Sequence, residues 1–316
     1  VFVEKISNEG KNILVVTFRP NHRTPIVFLN GHLDVVPADL SQFLPVKKGG
    51  RLYGRGSYDM KGGCAVMIGL IEYFAREKQK PDVGFMFVSD EEFSGASSRF
   101  LYEQGYCPKL FIPVEPTNLD LVIETKGILW MEGTISGLPA HGSMPWLGKN
   151  PIEIFHRGLE KFYKLFPPLR RAQWRTSANL GEVHSGDCYN RVPPELNFKI
   201  DVRYVPDEDP SVIVRKIKSC FSRQTLWKID KCQPPHPKAK DMTLIQQLQS
   251  TGKVLGFDLK YTRAPFCTDA RFFAAGGIPS VVFGPKGADM HGDQEYVDLR
   301  SLQDVYSILR HFLVSV

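Results

Sequence analysis

The chain has 316 residues, of which 42% are hydrophobic and 23% charged, and its formal net charge is +6. This composition is typical of a folded protein and excludes an extensively disordered chain, and the length predicts two domains. The longest early apolar run, residues 64–74, is too short to span a bilayer, and no signal-peptide pattern opens the chain. We therefore expect a cytoplasmic protein that does not bind membranes.

Cysteine and arginine patterns exclude two further classes. The six cysteines form no Cys-x-x-Cys pair, which argues against a thiolate zinc site and a dense disulfide framework. The densest basic cluster contains Arg170, Arg171 and Arg175 around Trp174, and no nucleic-acid-binding motif accompanies it. We interpret this cluster as a solvated loop and do not expect nucleic-acid binding.

Strand and helix patterns alternate over the first third of the chain. The predicted strands are 13–18, 26–29, 83–89 and 110–113, and the predicted helices are 63–77 and 97–104. This alternation is typical of an α/β sheet covered by helices. The short connection at 20–25 suggests that its two flanking strands are antiparallel neighbours, so we predict a mixed sheet.

The middle of the chain follows a different order. Its predicted elements are strand 128–136, helix 151–166, strands 177–183 and 195–204, helix 210–221 and strand 225–231. This β-α-β-β-α-β order is that of a ferredoxin-like module, which forms a complete small domain in about this length. The proline-rich residues 233–237 then indicate a linker.

In the last part of the chain, predicted helices and strands alternate again, as they do in the first third. Its predicted elements are helix 242–252, strand 258–263, helix 268–275, strand 280–283 and helix 299–313. We therefore predict an α/β domain with a mixed sheet, residues 1–127 and 236–316, interrupted by an inserted βαββαβ domain at residues 128–235.

Polar side chains follow the strand that ends at residue 29. The motif Gly-His-Leu-Asp places His32 and Asp34 at the carboxyl end of this strand, where ligands bind in open α/β sheets. Asp34 lies two residues on, on the same side of the extended chain, and is placed to orient the imidazole. A turn aspartate beside a polar histidine is an equally good interpretation of this motif alone.

Further candidates occur at other strand ends. Asp59 lies between glycine-rich turns before a predicted helix. It is interpreted either as a helix cap or as a carboxylate that bridges two cations. The strand at 83–88 is followed by Ser-Asp-Glu-Glu, which contains Glu91 and Glu92. Crowded carboxylates repel one another and need cations nearby. An isolated acidic triplet, however, is more often a solvated turn. Glu115 follows the next strand.

His291 follows the predicted strand 280–283 and a Gly-Pro loop. Two histidines and at least three carboxylates at four strand ends form the nitrogen and oxygen set that suits a di-zinc centre. Each signal is weak or moderate alone, and the combination predicts a metal centre.

The motifs together resemble a family of zinc amidohydrolases and metallopeptidases that includes acetylornithine deacetylase, succinyl-diaminopimelate desuccinylase, aminoacylase and glutamate carboxypeptidase. The resemblance covers nearly the full length. The motifs that carry it are Gly-His-Leu-Asp-Val-Val-Pro (31–37), Gly-Arg-Gly-Ser-Tyr-Asp-Met-Lys-Gly-Gly (54–63), Ser-Asp-Glu-Glu (89–92), Glu-Pro-Thr (115–117), Ala-His-Gly-Ser (140–143) and His291. Relatives usually carry a longer region before the first motif, so the chain looks truncated at its start.

The resemblance implies roles for these residues. Asp59 is expected to bridge two Zn²⁺ ions, one also held by His32 and Glu115 and the other by Glu92 and His291. Co²⁺ or Mn²⁺ are alternatives to zinc, because mixed histidine and carboxylate sites accept them. Glu91 is expected to be the general base.

The resemblance also assigns residues of the inserted domain. His141 corresponds to a histidine that stabilises the tetrahedral oxyanion and that arrives from the partner subunit in dimeric relatives. This implies a homodimer formed through a lid and dimerisation domain. Asn190 and Arg203 match lid positions that contact substrate, although Arg203 is equally well a surface charge. Thr268, with Asp269 and Arg271 as secondary candidates, matches a segment near the active-site floor.

The expected function is amide-bond hydrolysis on an N-acyl amino acid or short peptide. The Glu-Pro-Thr, Lys-Gly-Ile-Leu-Trp and Ala-His-Gly-Ser-Met-Pro segments favour a deacylase of the acetylornithine or succinyl-diaminopimelate type. A metallocarboxypeptidase or dipeptidase is the nearest alternative. A catalytically silent binding protein is a further alternative, which the presence of every ligand and of Glu91 disfavours.

Overall fold

The computed structural model describes residues 1–316, which divide into two compact units. Unit 1 contains residues 1–124, 236–264 and 268–316, and unit 2 contains residues 125–235 and 265–267. Residues 125–127 and 265–267, which the sequence analysis assigned to the first domain, thus group with unit 2. None of the helices combines the length and the apolar character needed to cross a membrane.

The strands and helices are numbered here in chain order. The strands are β1 Phe2–Asn8, β2 Lys11–Thr17, β3 Val27–His32, β4 Val46–Lys48, β5 Arg51–Tyr53, β6 Val83–Val88, β7 Leu110–Pro113, β8 Leu121–Thr125, β9 Gly127–Ser136, β10 Ser177–Ser185, β11 Glu195–Tyr204, β12 Leu226–Gln233, β13 Tyr261–Ala264, β14 Gly287–Ala288 and β15 Tyr296–Asp298. The α-helices are α1 Gly62–Arg76, α2 Ala96–Glu103, α3 Pro151–Leu165, α4 Pro210–Cys220, α5 Thr243–Val254, α6 Ala270–Ala275 and α7 Leu299–Ser315.

The main sheet of unit 1 has five strands in the order β1-β2-β6-β3-β7. The β1–β2 and β2–β6 pairs are antiparallel, and β3 is parallel to both β6 and β7. The mixed sheet predicted from the sequence is therefore confirmed. The expectation that the short connection at 20–25 joins two neighbouring strands is wrong, however, because β6 lies between β2 and β3.

Strand β3 shows why this sheet is an inner layer. All six of its residues are buried. Val27 and Leu29 belong to an apolar core that also includes residues of α1, α5 and α7, whereas the Phe28 ring centroid lies 6.2 Å from that of Tyr106. Alternate residues of a strand point to opposite faces, so both faces of this sheet are covered.

Unit 2 contains a four-stranded sheet in the order β10-β11-β9-β12, with every pair antiparallel. Buried and less buried residues alternate along β11, which is typical of a sheet with one covered face. Aromatic residues of α3 and β11 and aliphatic residues of α4 share one core. Helix α3 begins at Pro151, and the preceding Asn150 side chain accepts a hydrogen bond from the Ile152 amide.

Several elements differ from the sequence-based expectation. Residues 280–283 form only isolated bridges, Phe111 with Ser280 and Val122 with Val282, so the predicted strand is wrong. Strands β1 and β8 and the small sheet β14-β15-β5-β4 were not predicted. Strands of two or three residues are too short to show a period-two pattern, and β1 is mostly exposed.

Candidate metal centre

Three parallel strands deliver acidic and histidine side chains to one edge of the main sheet. His32 ends β3, Glu91 and Glu92 follow β6, and Glu115 follows β7. Because β6, β3 and β7 are adjacent and parallel, their carboxyl ends meet at the same edge. The sheet therefore gathers groups that lie far apart in the sequence.

Asp59 reaches this edge from the turn that precedes α1. The turn is irregular, with non-helical backbone angles at Asp59 itself. Gly63 explains how the start of α1 lies so close to the sheet, because a Cβ at this position would lie 2.0 Å from the carbonyl oxygen of Val114. Only glycine fits there, and Val114 directly precedes Glu115.

The two oxygens of Asp59 face two different histidines. Oδ1 lies 3.0 Å from Nε2 of His32, and Oδ2 lies 3.1 Å from Nε2 of His291. Oε2 of Glu115 lies 3.7 Å from Nε2 of His32, and Oε2 of Glu92 lies 3.3 Å from Nε2 of His291. The five side chains thus form two sets, His32 with Glu115 and His291 with Glu92, which share Asp59.

The proton affinities show how strongly these groups influence each other. Burial raises the pKa of Glu115 well above its ordinary value, and burial with the charge of Asp59 raises the pKa of Glu92 to about 7. Burial acts to lower the pKa of His32, but the charge of Glu115 and the contacts with the Asp34 and Asp59 side chains outweigh it and raise the pKa well above its usual value. Buried acids in this number require positive charge nearby.

Asp59 and His291 stabilise each other's charged forms. Burial opposes ionisation of Asp59, yet hydrogen bonds with His291 and His32 lower its pKa below the ordinary value. The hydrogen bond with Asp59 is the main cause that raises the pKa of His291. Asp59 is therefore a carboxylate that faces a positively polarised group on each side.

These residues fit divalent cations. Ligand atoms of His32, Asp59 and Glu92 all lie within 4.8 Å of one another. Oε1 of Glu92 is buried and has no hydrogen-bond partner, which is costly unless an ion or another donor satisfies it. Imidazole nitrogens and carboxylate oxygens are the ligands that zinc, cobalt and manganese accept in proteins.

Asp34 supports both sides of the cluster. Its Oδ1 accepts a hydrogen bond from the Glu91 amide at 3.3 Å, and its Oδ2 accepts one from the Glu92 amide at 3.1 Å. Nδ1 of His32 lies 3.0 Å from the carbonyl oxygen of Asp34 and 3.5 Å from its Oδ1. Burial acts to raise the pKa of Asp34, but contact with His32 lowers it, so Asp34 is a carboxylate that orients the imidazole and the acidic turn together.

A buried ion pair that the sequence analysis did not single out holds the Asp59 turn. Oε1 of Glu295 accepts hydrogen bonds from the amides of Tyr58 and Asp59 at 3.0 and 3.1 Å. Oε2 of Glu295 lies 2.5 Å from Nη1 of Arg55, and Nη2 of Arg55 donates to the carbonyl oxygen of His291 at 2.8 Å. Arg55 lies in the motif that contains Asp59, and Glu295 lies four residues after His291, so closeness to a candidate ligand in the sequence could have indicated both residues.

The remaining candidates have different surroundings. In unit 2, His141 is exposed and its Nδ1 lies 2.8 Å from Oγ of Ser143. Asn190 is also exposed, and its carbonyl oxygen accepts a hydrogen bond from the Gly142 amide at 2.6 Å. The guanidinium of Arg203 is paired with Asp201, with Nε 3.0 Å from Oδ1.

Thr268 belongs to unit 1 and is 2% exposed. Its hydroxyl oxygen is buried without a hydrogen-bond partner. The side chain therefore lies in the interior of unit 1, next to the fully buried Asp269.

The fold and the side chains together define a class, that of α/β proteins with a histidine and carboxylate cluster suited to divalent cations at the edge of a mixed sheet. Comparison with known proteins makes this specific: the chain belongs to peptidase family M20/M25/M40, whose family model matches residues 28–315. The chain is an enzyme, a metal-dependent hydrolase. The family resemblance and the enzyme class predicted from the sequence are thereby confirmed.

Individual relatives agree with this assignment. The chain is 26% identical over 333 residues to acetylornithine deacetylase of Buchnera aphidicola subsp. Schizaphis graminum, covering 98% of this chain and 85% of the relative. A tripeptidase from Staphylococcus aureus subsp. aureus Mu50 has a TM-score of 0.82 and 20% identity, covering 98% of this chain and 88% of the other.

A third relative is a dinuclear metal-binding peptidase from Bacillus subtilis, with a TM-score of 0.72 and 15% identity, covering 99% of this chain and 87% of the other. The two structural similarities show a shared fold.

Proposed function

We propose that the protein is a di-zinc hydrolase that cleaves the amide bond of an N-acyl amino acid of the acetylornithine or succinyl-diaminopimelate type. The observation that carries this proposal is the position of Asp59, whose two oxygens face the imidazoles of His32 and His291 at 3.0 and 3.1 Å. Asp59 would be shared by two ions, with His32 and Glu115 as further ligands of one and His291 and Glu92 as further ligands of the other. Cobalt and manganese remain alternatives.

The ligand set supplies the chemistry and Glu91 moves the proton. When bound, two cations would lower the pKa of the attacking water and polarise the amide carbonyl. Glu91 takes the proton from the attacking water and passes it to the departing amine. Asp34 holds the amide of Glu91 and keeps the acidic turn in place, so that the base stays next to the ligands.

Unit 2 is proposed to act on the substrate. We assign His141 to oxyanion stabilisation and Asn190 and Arg203 to substrate binding, together with Thr268 of unit 1, whose buried hydroxyl has no hydrogen-bond partner. In this proposal unit 2 is a ferredoxin-like lid that also forms a homodimer, and the enzyme acts in the cytoplasm. Its β-α-β-β-α-β order and antiparallel sheet support the module assignment. Size-exclusion chromatography with light scattering tests the dimer.

A peptidase of the same family is the alternative function. The name of the Staphylococcus aureus neighbour, a tripeptidase, supports it, whereas the name of the Buchnera relative, acetylornithine deacetylase, supports the deacylase. The same metal ligands serve both reactions, so substrate profiling decides between them. A silent binding protein is the remaining alternative.

The test combines metal content with hydrolysis of N-acetyl amino acids, N-succinyl amino acids and dipeptides. We expect two metals per chain, hydrolysis of an N-acyl amino acid, and no hydrolysis by Glu91→Gln with both metals retained. Glu77→Gln, an exposed glutamate outside the site, is the matched control and should behave like the wild type. Preferred cleavage of dipeptides would favour the peptidase, two metals without turnover would favour the binding protein, and absence of metal would contradict all three.

A further inference from the structure

Arg271 makes a direct contact with the proposed general base. It lies at the start of α6, and its side chain is only 4% exposed. Nη1 donates to Oε1 of Glu91 at 3.2 Å, and Nη2 donates to the carbonyl oxygen of Ser94 at 3.3 Å. The guanidinium thus joins the acidic turn after β6 to a helix that starts about 180 residues later in the chain.

A buried polar network fixes the guanidinium in turn. Oδ1 of Asp269 lies 3.9 Å from Nη1 of Arg271, and Oδ2 accepts a hydrogen bond from Oγ of Ser98 at 2.5 Å. Asp269 and Ser98 are both fully buried. The Phe272 ring lies beside the guanidinium, with 4.4 Å between Cζ and the ring centroid. These contacts hold the guanidinium in one orientation.

Gly95 shows how closely the backbone approaches this network. Its φ is +66°, and a Cβ there would lie 2.5 Å from Nη2 of Arg271 and 2.7 Å from Oδ1 of Asp269. A side chain at residue 95 would therefore displace both groups. The turn after β6 thus has a shape that admits the guanidinium between Glu91 and Asp269.

We propose that Arg271 is the positioning residue of Glu91, holding one carboxylate oxygen so that the other faces the attacking water. This inference rests on the proposed function, in which Glu91 is the base. A glutamate has three side-chain torsions, and an unpaired Glu91 would spread over several orientations. The planar guanidinium restricts Oε1 to one direction and thereby fixes the orientation of the carboxylate. Misplacement of a reacting group by about 1 Å can cost about 100-fold in rate.

The experiment uses the metal-loaded enzyme and the N-acyl amino acid that the wild type hydrolyses best. For Arg271→Met we expect kcat to fall by about 10- to 100-fold with KM within about twofold of the wild type and two metals retained. Arg271→Lys keeps the charge and loses the planar fork, and it should recover part of kcat. Arg99→Met, which removes an exposed ion pair with Glu103 on α2, is the matched control and should keep the wild-type kcat.

A double-variant cycle separates positioning from a general structural effect. If Arg271 acts through Glu91, Arg271→Met should lower kcat much less in a Glu91→Asp background, whose shorter side chain keeps a carboxylate but withdraws it from Arg271, than in the wild type. An equal decrease in both backgrounds, or an increase in KM with unchanged kcat, would overturn the inference. Should Arg271→Met not fold, Arg271→Lys carries the same test, because it keeps the charge and most of the length of the side chain.

The two proposals fail in different ways. A wild type that hydrolyses no amide, or a Glu91→Gln variant with wild-type kcat, overturns both. An Arg271→Met variant with wild-type kcat beside an inactive Glu91→Gln overturns only the positioning role of Arg271.

Discussion

The candidate residues of the two units are held in opposite ways. In unit 1, Asp59 contacts a histidine 232 residues later in the chain, and Glu295 accepts from the amide of Asp59 across 236 residues. In unit 2, the contacts of His141 with Ser143 and of Arg203 with Asp201 span only two residues. The unit 1 cluster is also mostly buried, whereas His141 is exposed.

This difference has a physical consequence. A buried network with long-range partners is part of the fold, so a change in it alters stability and metal affinity together. An exposed side chain with one local partner contributes little to stability, so a change in it should alter only the reaction. Four predictions test this contrast.

The largest effect is expected for Asp59→Asn. An amide has one oxygen and no negative charge, so it cannot serve two cations as a carboxylate does. We expect the metal content to fall below two per chain and kcat/KM to fall on the order of 10⁴-fold or more, because the metal-lowered pKa of water is lost. Metal analysis and amide hydrolysis measure both effects.

Asp258→Asn is the control for this variant, since Asp258 is exposed and lies outside the cluster. It should keep two metals and wild-type activity. An Asp59→Asn enzyme with two metals and normal turnover would show that Asp59 is not a bridging ligand.

His141→Ala should affect the reaction alone. If His141 donates to the oxyanion, its loss should lower kcat by about 10²- to 10³-fold. Metal content should stay at two, and the free energy of unfolding should change by less than about 0.5 kcal/mol because the ring is exposed. His156→Ala, another exposed histidine of unit 2, is the matched control. Loss of metal in His141→Ala would break the proposed contrast between the units.

Glu295→Gln should affect stability and metal binding together. Gln keeps an oxygen for the amides of Tyr58 and Asp59 but leaves the buried guanidinium of Arg55 without its charge partner. Breaking a buried pair costs about 3–5 kcal/mol, and loss of support behind metal ligands lowers metal affinity by about 10- to 100-fold. Chemical denaturation and competitive chelation measure the two quantities.

Glu103→Gln is the control for the ion pair. Glu103 forms an exposed pair with Arg99, which is worth about 0–1 kcal/mol. Equal effects of the two substitutions would show that burial of the Arg55–Glu295 pair does not matter for the metal centre.

The contrast between local and long-range contacts also explains what could be predicted from the sequence. The placement of His32, Glu92 and Glu115 at strand ends was predictable, because apolar runs mark the strands and parallel strands share an edge. The strand predicted before His291, residues 280–283, forms only isolated bridges, so the strand-end argument does not account for His291 and the family motif is the stronger signal. The partnership of Arg55 with Glu295 spans 240 residues, and no local pattern encodes it.

Strand order was less predictable than strand position. The short link between β2 and β3 favoured a hairpin, yet β6 lies between them. Neighbouring strands in the sequence are often neighbours in a sheet, but the buried parallel pairing of β3 with β6 and β7 decides the order here. Residues 265–267 likewise carry no composition signal that would assign them to unit 2.

The last prediction concerns pH in protein stripped of metal by a chelator. Burial raises the pKa of Glu92 to about 7, raises the pKa of Asp269 to about 7, and raises the pKa of Glu115. At a pH above the ordinary pKa of the group, each group holds a proton in the folded state and releases it on unfolding. Their contribution to the free energy of unfolding is fully present when the pH is below their ordinary pKa values, and it is lost as the pH rises through the raised pKa values.

The two histidines act with the same sign. Their pKa values are raised in the fold, so His32 and His291 also lose their stabilising contribution as the pH rises. We therefore expect the Tm of the stripped protein to fall by roughly 5 °C between about pH 5 and about pH 8. In the loaded enzyme cations take the place of the protons on Glu92, Glu115 and the two histidines, so its Tm should fall less over this range. All these groups lie in unit 1, so a stripped protein whose Tm rises with pH would show that its buried acids do not control stability.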